Sequence, residues 1–325
     1  MHPLLRAAAE RQGGVFTAVD AHRAGYAHPE IRHLCASGRW QRLRRGVYVA
    51  AGDLAEAESS GRRHQLDCLA VLLALDRRTA AVSHLSAARL WGLPVRRAEE
   101  SVVRLTDPAH GRRGRGFHVT RAPLDDAEIR TTGAFRLTTT ARTLLDVARE
   151  EPLEDAVVAM DAALLAGKVT QDGLVRAAER AGRWPGGPRA RRALSLVDGR
   201  AESALETRGR LRIVGCGFPR PELQVEIRTG NRLVAVVDAW FDDAAVAVEF
   251  DGRVKYTDPW RNRSPERVLW EEKRREDALR ELDIGVVRIV DADLGTQWPG
   301  VEGSLRRLLA RPRPSGRRFT ATARV

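Results

Sequence analysis

From Ala244 to Val248 the chain reads Ala-Ala-Val-Ala-Val, and it continues at once into Glu249-Phe250-Asp251-Gly252. A run this apolar, with no polar alternation, predicts a central strand buried on both faces of a layered sheet. Acids at the end of such a strand are costly unless something cationic compensates them. Because side chains alternate across a strand, Glu249 and Asp251 share one face while Phe250 packs on the other. Strands are expected at 222–228, 232–238, 244–251 and 285–290. Asp242-Asp243 would turn the chain so that Asp238, ending one strand, lies beside the acidic pair.

Three carboxylates converging in this way form an oxygen-only ligand set suited to Mg²⁺ or Mn²⁺. Such an ion polarises a phosphoryl oxygen and lowers the pKa of a bound water, the chemistry of metal-assisted phosphodiester hydrolysis. Lys255 follows Asp251 by four residues, in a chain with 52 Arg and only three Lys. Unlike Arg, its amine can shed a proton when its surroundings lower the pKa. Glu206, on a helix expected at 201–214, and Asp277, on a charged helix expected at 264–282, would complete the cluster. The plainer alternative is that Asp238 and Asp251 cap strand ends while Glu249 pairs with an arginine.

The N-terminal segment is organised differently. A short helix over 4–12 ends at Gly13-Gly14, and Thr17 caps a second helix over 18–24. His28-Pro29 opens a third, with proline in its first turn and Gly38 just past its end. Trp40–Leu43 and Val47–Val49 then alternate as strands around Arg44-Arg45-Gly46. Three helices and a basic hairpin are the layout of a winged helix-turn-helix. His28 and Arg32 of the third helix would face a DNA groove, with Leu34 toward the core. Arg39, Arg42, Arg44 and Arg45 would hold phosphates.

The net charge of +12 supports a polyanionic partner, because it is concentrated at two ends. Residues 1–50 carry +5 and residues 306–325 carry +7, leaving the 255 between them neutral. Residues 53–198 read as mixed α and β, interrupted by a basic loop over 110–116 that is expected to be flexible. Residues 311–325, rich in Arg and opening Arg-Pro-Arg-Pro, are expected to be a disordered basic tail. No apolar run approaches membrane-spanning length, and no secretory apolar segment opens the chain. Three separated cysteines argue against a disulfide framework, so a cytoplasmic location is expected.

Two resemblances follow from these residues. From Ser203 to Leu294 the chain resembles the very-short-patch-repair-like endonucleases, a branch of the PD-(D/E)XK restriction-endonuclease fold. Glu206, Pro219–Gln224, Asp238, Glu249–Lys255, Lys273–Arg280 and Gly285–Arg288 carry the match. The resemblance implies a metal site at Asp238, Glu249 and Asp251. Lys255 stands where that family often has His, and Asp251 holds the usual lysine position. The N-terminal half resembles the AbiEi-type antitoxin and regulator family, through Gly14–Thr17, Ile31-Arg32, Gly38–Trp40, Leu43–Tyr48 and Ser83–Ala88. The expected organisation is α/β (α+β overall): a winged helix over 1–52, a middle region over 53–198, a restriction-endonuclease-like domain with a mixed sheet over 199–310, and the tail.

Ser83-His84 with Asp107 and Asp146 could be a hydrolytic triad, but Ser83 capping a helix is the simpler reading. Trp240 and Trp270 suit a core, whereas Trp260, in a polar loop, suits stacking on bases. Arg275 is expected on a solvated or phosphate-facing surface. The expected function is therefore a DNA-binding, Mg²⁺-dependent (or Mn²⁺-dependent) endonuclease. Its alternative is a non-catalytic, antitoxin-like regulator, with a toxin or other protein partner and a homodimer both compatible with the sequence.

Overall fold

The computed structural model describes residues 1–95, 102–252, 274–312 and 316–324. They form a mixed α/β molecule of two compact units: Met1–Ala159 with Val169–Arg192, and Met160–Lys168 with Ala193–Val325. The second unit thus takes in Met160–Lys168, a stretch the sequence reading assigned to the middle region.

In the first unit, helices Pro3–Arg11, Ala18–Arg23 and His28–Ala36 precede a hairpin of Trp40–Arg44 and Val47–Ala50. Thr17 caps the second helix through a reciprocal box with Asp20, as its position suggested. A further strand not expected from the sequence, Val15–Thr17, pairs antiparallel with Val47–Val49 and makes the sheet three-stranded. Trp40 ties the motif together. Its ring meets Phe16 edge-on at 4.8 Å and Tyr26 at 5.0 Å, over Leu5, Ala21 and Ile31. Leu34 packs against this cluster, as expected.

The rest of the first unit builds a six-stranded mixed sheet in the order 112–114, 117–121, 103–107, 81–82, 135–138, 129–132. The basic stretch expected to be a flexible loop contributes strand Arg112–Gly114, paired antiparallel with Phe117–Val119. Gly114 permits this turn, since a Cβ there would lie 2.2 Å from the Phe117 ring.

The second unit carries a five-stranded sheet ordered 285–290, 246–251, 232–241, 222–229, 320–323. Every residue of Val246–Asp251 is buried, with a parallel neighbour on one side and an antiparallel one on the other. Helices Ala204–Gly215 and Trp298–Leu309 cover one face through Leu205, Ile213, Trp298 and Leu305. The 274–280 helix covers the other through Leu279.

The tail departs from its expected disorder. Thr320–Ala323 pairs antiparallel with Val225–Arg228. Phe319 sits edge-on to Trp240 at 5.9 Å, and Arg317 bonds Asp242 at 2.6 Å. An open sheet edge supplies backbone partners that composition does not reveal. Among the described residues, no helix is long and apolar enough to cross a membrane.

Candidate functional site

Two charged surfaces came from the sequence, one in each unit. In the second unit, Glu249 and Asp251 do share a strand face and are buried to 6% and 9% exposure. Phe250 points to the opposite face, where its ring fills the space left by Gly209; a Cβ there would lie 2.1 Å from it. That close approach brings the Ala204–Gly215 helix, and with it Glu206, onto the sheet.

Asp238 does not end its strand, which continues to Phe241. The hairpin to the buried strand is therefore tighter than expected, and Asp238 Oδ2 accepts the Phe250 backbone N–H at 2.7 Å. Opposite Asp238, Gln224 adopts φ +51, an unusual left-handed conformation for a residue with a Cβ. Its amide donates to Glu206 Oε2 at 3.0 Å, and the Glu202 N–H donates there at 2.8 Å. Burial pushes the Glu206 carboxyl up to about 6 against these hydrogen bonds, and the Asp238 charge adds to the rise.

The remaining acids meet cations of the chain itself. Glu249 Oε2 accepts from Arg275 at 3.0 Å, and Asp251 lies 3.8 Å from Arg288. Arg275, expected on a solvated or phosphate-facing surface, is thus a partner of the buried strand. Asp277 is exposed, with Arg280 at 4.0 Å. Lys255 and Trp260 lie outside the described residues, as does Trp270. The oxygen donors suit Mg²⁺ or Mn²⁺ by type. Yet among the described residues no three His, Cys, Asp or Glu side chains are grouped so as to hold a metal ion. By arrangement, then, the described donors do not fit such an ion.

The first unit presents the opposite case. The His28–Ala36 helix buries only Ile31 and exposes His28, Arg32 and His33. Arg32 and Arg42 line one groove with Cys35 and Tyr48. Arg45 is exposed at the tip of the hairpin, where Gly46 takes φ +75. Arg39, also exposed, lines a separate hollow beside Glu30 and Asp53.

Residues 3–51 match the family model described as transcriptional regulator, AbiEi antitoxin. The match spans the three helices and the basic hairpin. The chain is also 33% identical over 180 residues to uncharacterized proteins of two Mycobacterium tuberculosis strains, CDC 1551 / Oshkosh and ATCC 25618 / H37Rv. That similarity covers 55% of this chain and 64% of each relative, so the chain spans less than two thirds of their length.

Arg44 behaves unlike its neighbours. Its guanidinium donates to the carbonyls of Arg115 and, at 3.2 Å, Gly116, and it lies 5.5 Å from the centre of the Phe117 ring. The Ser83-His84 pair is occupied in another way. Ser83 Oγ meets His84 Nδ1 at 2.7 Å and accepts from Thr106 at 2.8 Å, so it makes no helix-capping bond. The acid facing His84 is Glu150, at 3.2 Å, while Asp146 binds Arg142 and Asp107 binds Thr79. With Ser83 fully buried, the triad weighed against the simpler reading does not assemble. Glu150 is partly exposed; burial would raise its carboxyl, but His84 and Arg104 outweigh it and hold it down to about 2.

Proposed function

We propose that this chain is a DNA-binding transcriptional regulator of the antitoxin type, with the winged helix as its DNA-reading module. The observation that carries this reading is the His28–Ala36 helix, exposed along most of its length, with Arg32 sharing a groove with Arg42 of the basic hairpin. Helices of this kind enter the major groove, and flanking arginines fix register on the phosphates. The family description matched by residues 3–51 supports the same role. An antitoxin role adds a protein partner, and two copies on a two-fold site would add a dimer. Co-purification and sedimentation test these, and a cytoplasmic setting follows from the role.

The second reading is a metal-dependent nuclease. It is favoured by the shared strand face of Glu249 and Asp251, and by Asp238, which accepts the Phe250 N–H of that strand and raises the neighbouring Glu206. Lys255 would serve the scissile phosphate in that reading, and Trp260 would stack on bases.

One experiment separates the two. Duplex binding is measured by fluorescence anisotropy from about 50 to 200 mM salt, and plasmid is incubated with protein and Mg²⁺ or Mn²⁺. The regulator reading expects salt-sensitive binding that weakens in Arg32→Ala, with no cleavage. Binding indifferent to salt and to Arg32→Ala removes it. Nicking that needs the metal and disappears in Asp238→Ala and Glu249→Ala would put the nuclease in its place.

A further inference from the structure

The basic hairpin built from Arg112–Gly114 and Phe117–Arg121 has no role in the reading above, yet it is docked against the winged helix. We propose that it is a second wing, whose Arg113 and Arg115 contact the phosphate backbone of the same duplex. The proposal rests on the DNA-binding reading and extends its footprint beyond residues 3–51.

The docking is specific. Arg44, beside the tip of the first wing, donates to the carbonyls of Arg115 and Gly116 and stacks over Phe117. Gly116 takes φ +71, and a Cβ there would sit 3.0 Å from Arg44 Nη2. Arg112 approaches the other end of this arrangement, 6.0 Å from the same Phe117 ring. Cations over an aromatic face are held in place by its quadrupole. Arg44 therefore joins the two turns.

The charge of the second turn is uncompensated. No acid occurs from Pro108 to Leu124. Among the described residues, Arg112, Arg113 and Arg115 form no ion pair with a carboxylate, and all three are exposed. Exposed Arg45 directly follows Arg44, whose bonds to the Arg115 and Gly116 carbonyls make the two basic turns neighbours in the first unit. A polyanion with regularly spaced phosphates fits such turns, and contacts of this type position a protein without reading sequence.

The test uses the full chain and a labelled duplex. Affinity is measured against salt for the wild type, Arg45→Ala, Arg113→Ala/Arg115→Ala and the charge-retaining Arg113→Lys/Arg115→Lys. Losing two phosphate contacts should flatten the slope of log affinity against log salt by about 1.8. Affinity should fall several-fold without a change in sequence preference, and the lysine pair should restore the slope. Thermal melts of these exposed-site variants should overlay the wild type. If the double alanine variant binds with wild-type affinity and slope while Arg45→Ala is weaker, the second wing is wrong and the DNA reading stands. If the wild-type chain binds no duplex, both are wrong.

Discussion

The two units place their charge in opposite ways. In the first, Arg32, Arg42, Arg45, Arg113 and Arg115 stand at the surface, open to a partner. In the second, Glu206, Glu249 and Asp251 are buried, and Arg275 and Arg288 answer two of them from within the chain. Exposed charge contributes little to folding and is available for association, whereas buried charge is costly to desolvate and is met internally. A charged motif in a sequence therefore carries different meaning according to the depth at which it comes to rest.

This contrast can be tested inside the first unit, where one arginine breaks the pattern. Arg142 is 1% exposed, bonds Glu128 at 2.8 Å and Asp146 at 3.0 Å, and lies 4.4 Å from the Trp184 ring centre. Arg142→Met takes the counter-ion from buried Glu128 and leaves Asp146 with Arg149 alone, and should cost about 3–5 kcal/mol in denaturant unfolding. A loss under about 1 kcal/mol would mean that burial does not set the role of a charge in this unit.

A smaller effect is expected in the second unit at Gly209. Gly209→Ala drives a methyl into the Phe250 ring and should cost about 1–3 kcal/mol by overpacking. It should also part the Glu206 helix from the acidic strand. An unchanged melting temperature would show that this helix can shift without penalty.

Acid should affect the two units with opposite sign. Burial, helped by the Arg89 charge, pushes His64 down to about 4, so the folded first unit resists a proton that the unfolded chain accepts near 6.5. It should lose up to about 3 kcal/mol as pH falls from 6.5 through 4. Glu206, raised to about 6, is protonated in the folded state before the unfolded chain binds that proton. The second unit should gain up to about 2 kcal/mol as pH falls from 6 toward 4.5, and lose it as pH rises again. Glu206→Gln should then steepen the net loss on acidification, and His64→Gln should reverse it. Parallel profiles for wild type and both variants would refute the assignment.

The mildest change belongs to the exposed arginines. Arg45→Ala should leave unfolding within about 0.5 kcal/mol of wild type. It should flatten the salt dependence of duplex binding by about 0.9. A clear stability loss would mean that Arg45 supports the fold.

Much of the architecture was legible because it is written locally. The apolar run at 246–248, the Thr17 cap and the proline opening the third helix each specify an element from a few adjacent residues. Strands Val15–Thr17, Arg112–Gly114 and Thr320–Ala323 were not legible, since each exists only by pairing with a partner distant in sequence or across a tight turn. The acidic cluster was half legible. Alternation placed Glu249 and Asp251 together, but nothing in the spacing shows that Arg275, 26 positions away, reaches Glu249. Asp238 was misplaced because the strand runs on through Ala239, Trp240 and Phe241 before the turn.

The Arg210–Asp161 pair governs how the C-terminal half can be handled. Both side chains are 1% exposed and 2.8 Å apart, and Asp161 also accepts from Thr207 and the Asp198 N–H. Expressing that half alone from about position 199, the boundary expected from sequence, would leave the Arg210 guanidinium sealed in the interior without its counter-ion. Inactivity of such a fragment would report a collapsed scaffold. A fair trial of this half must begin upstream of Met160.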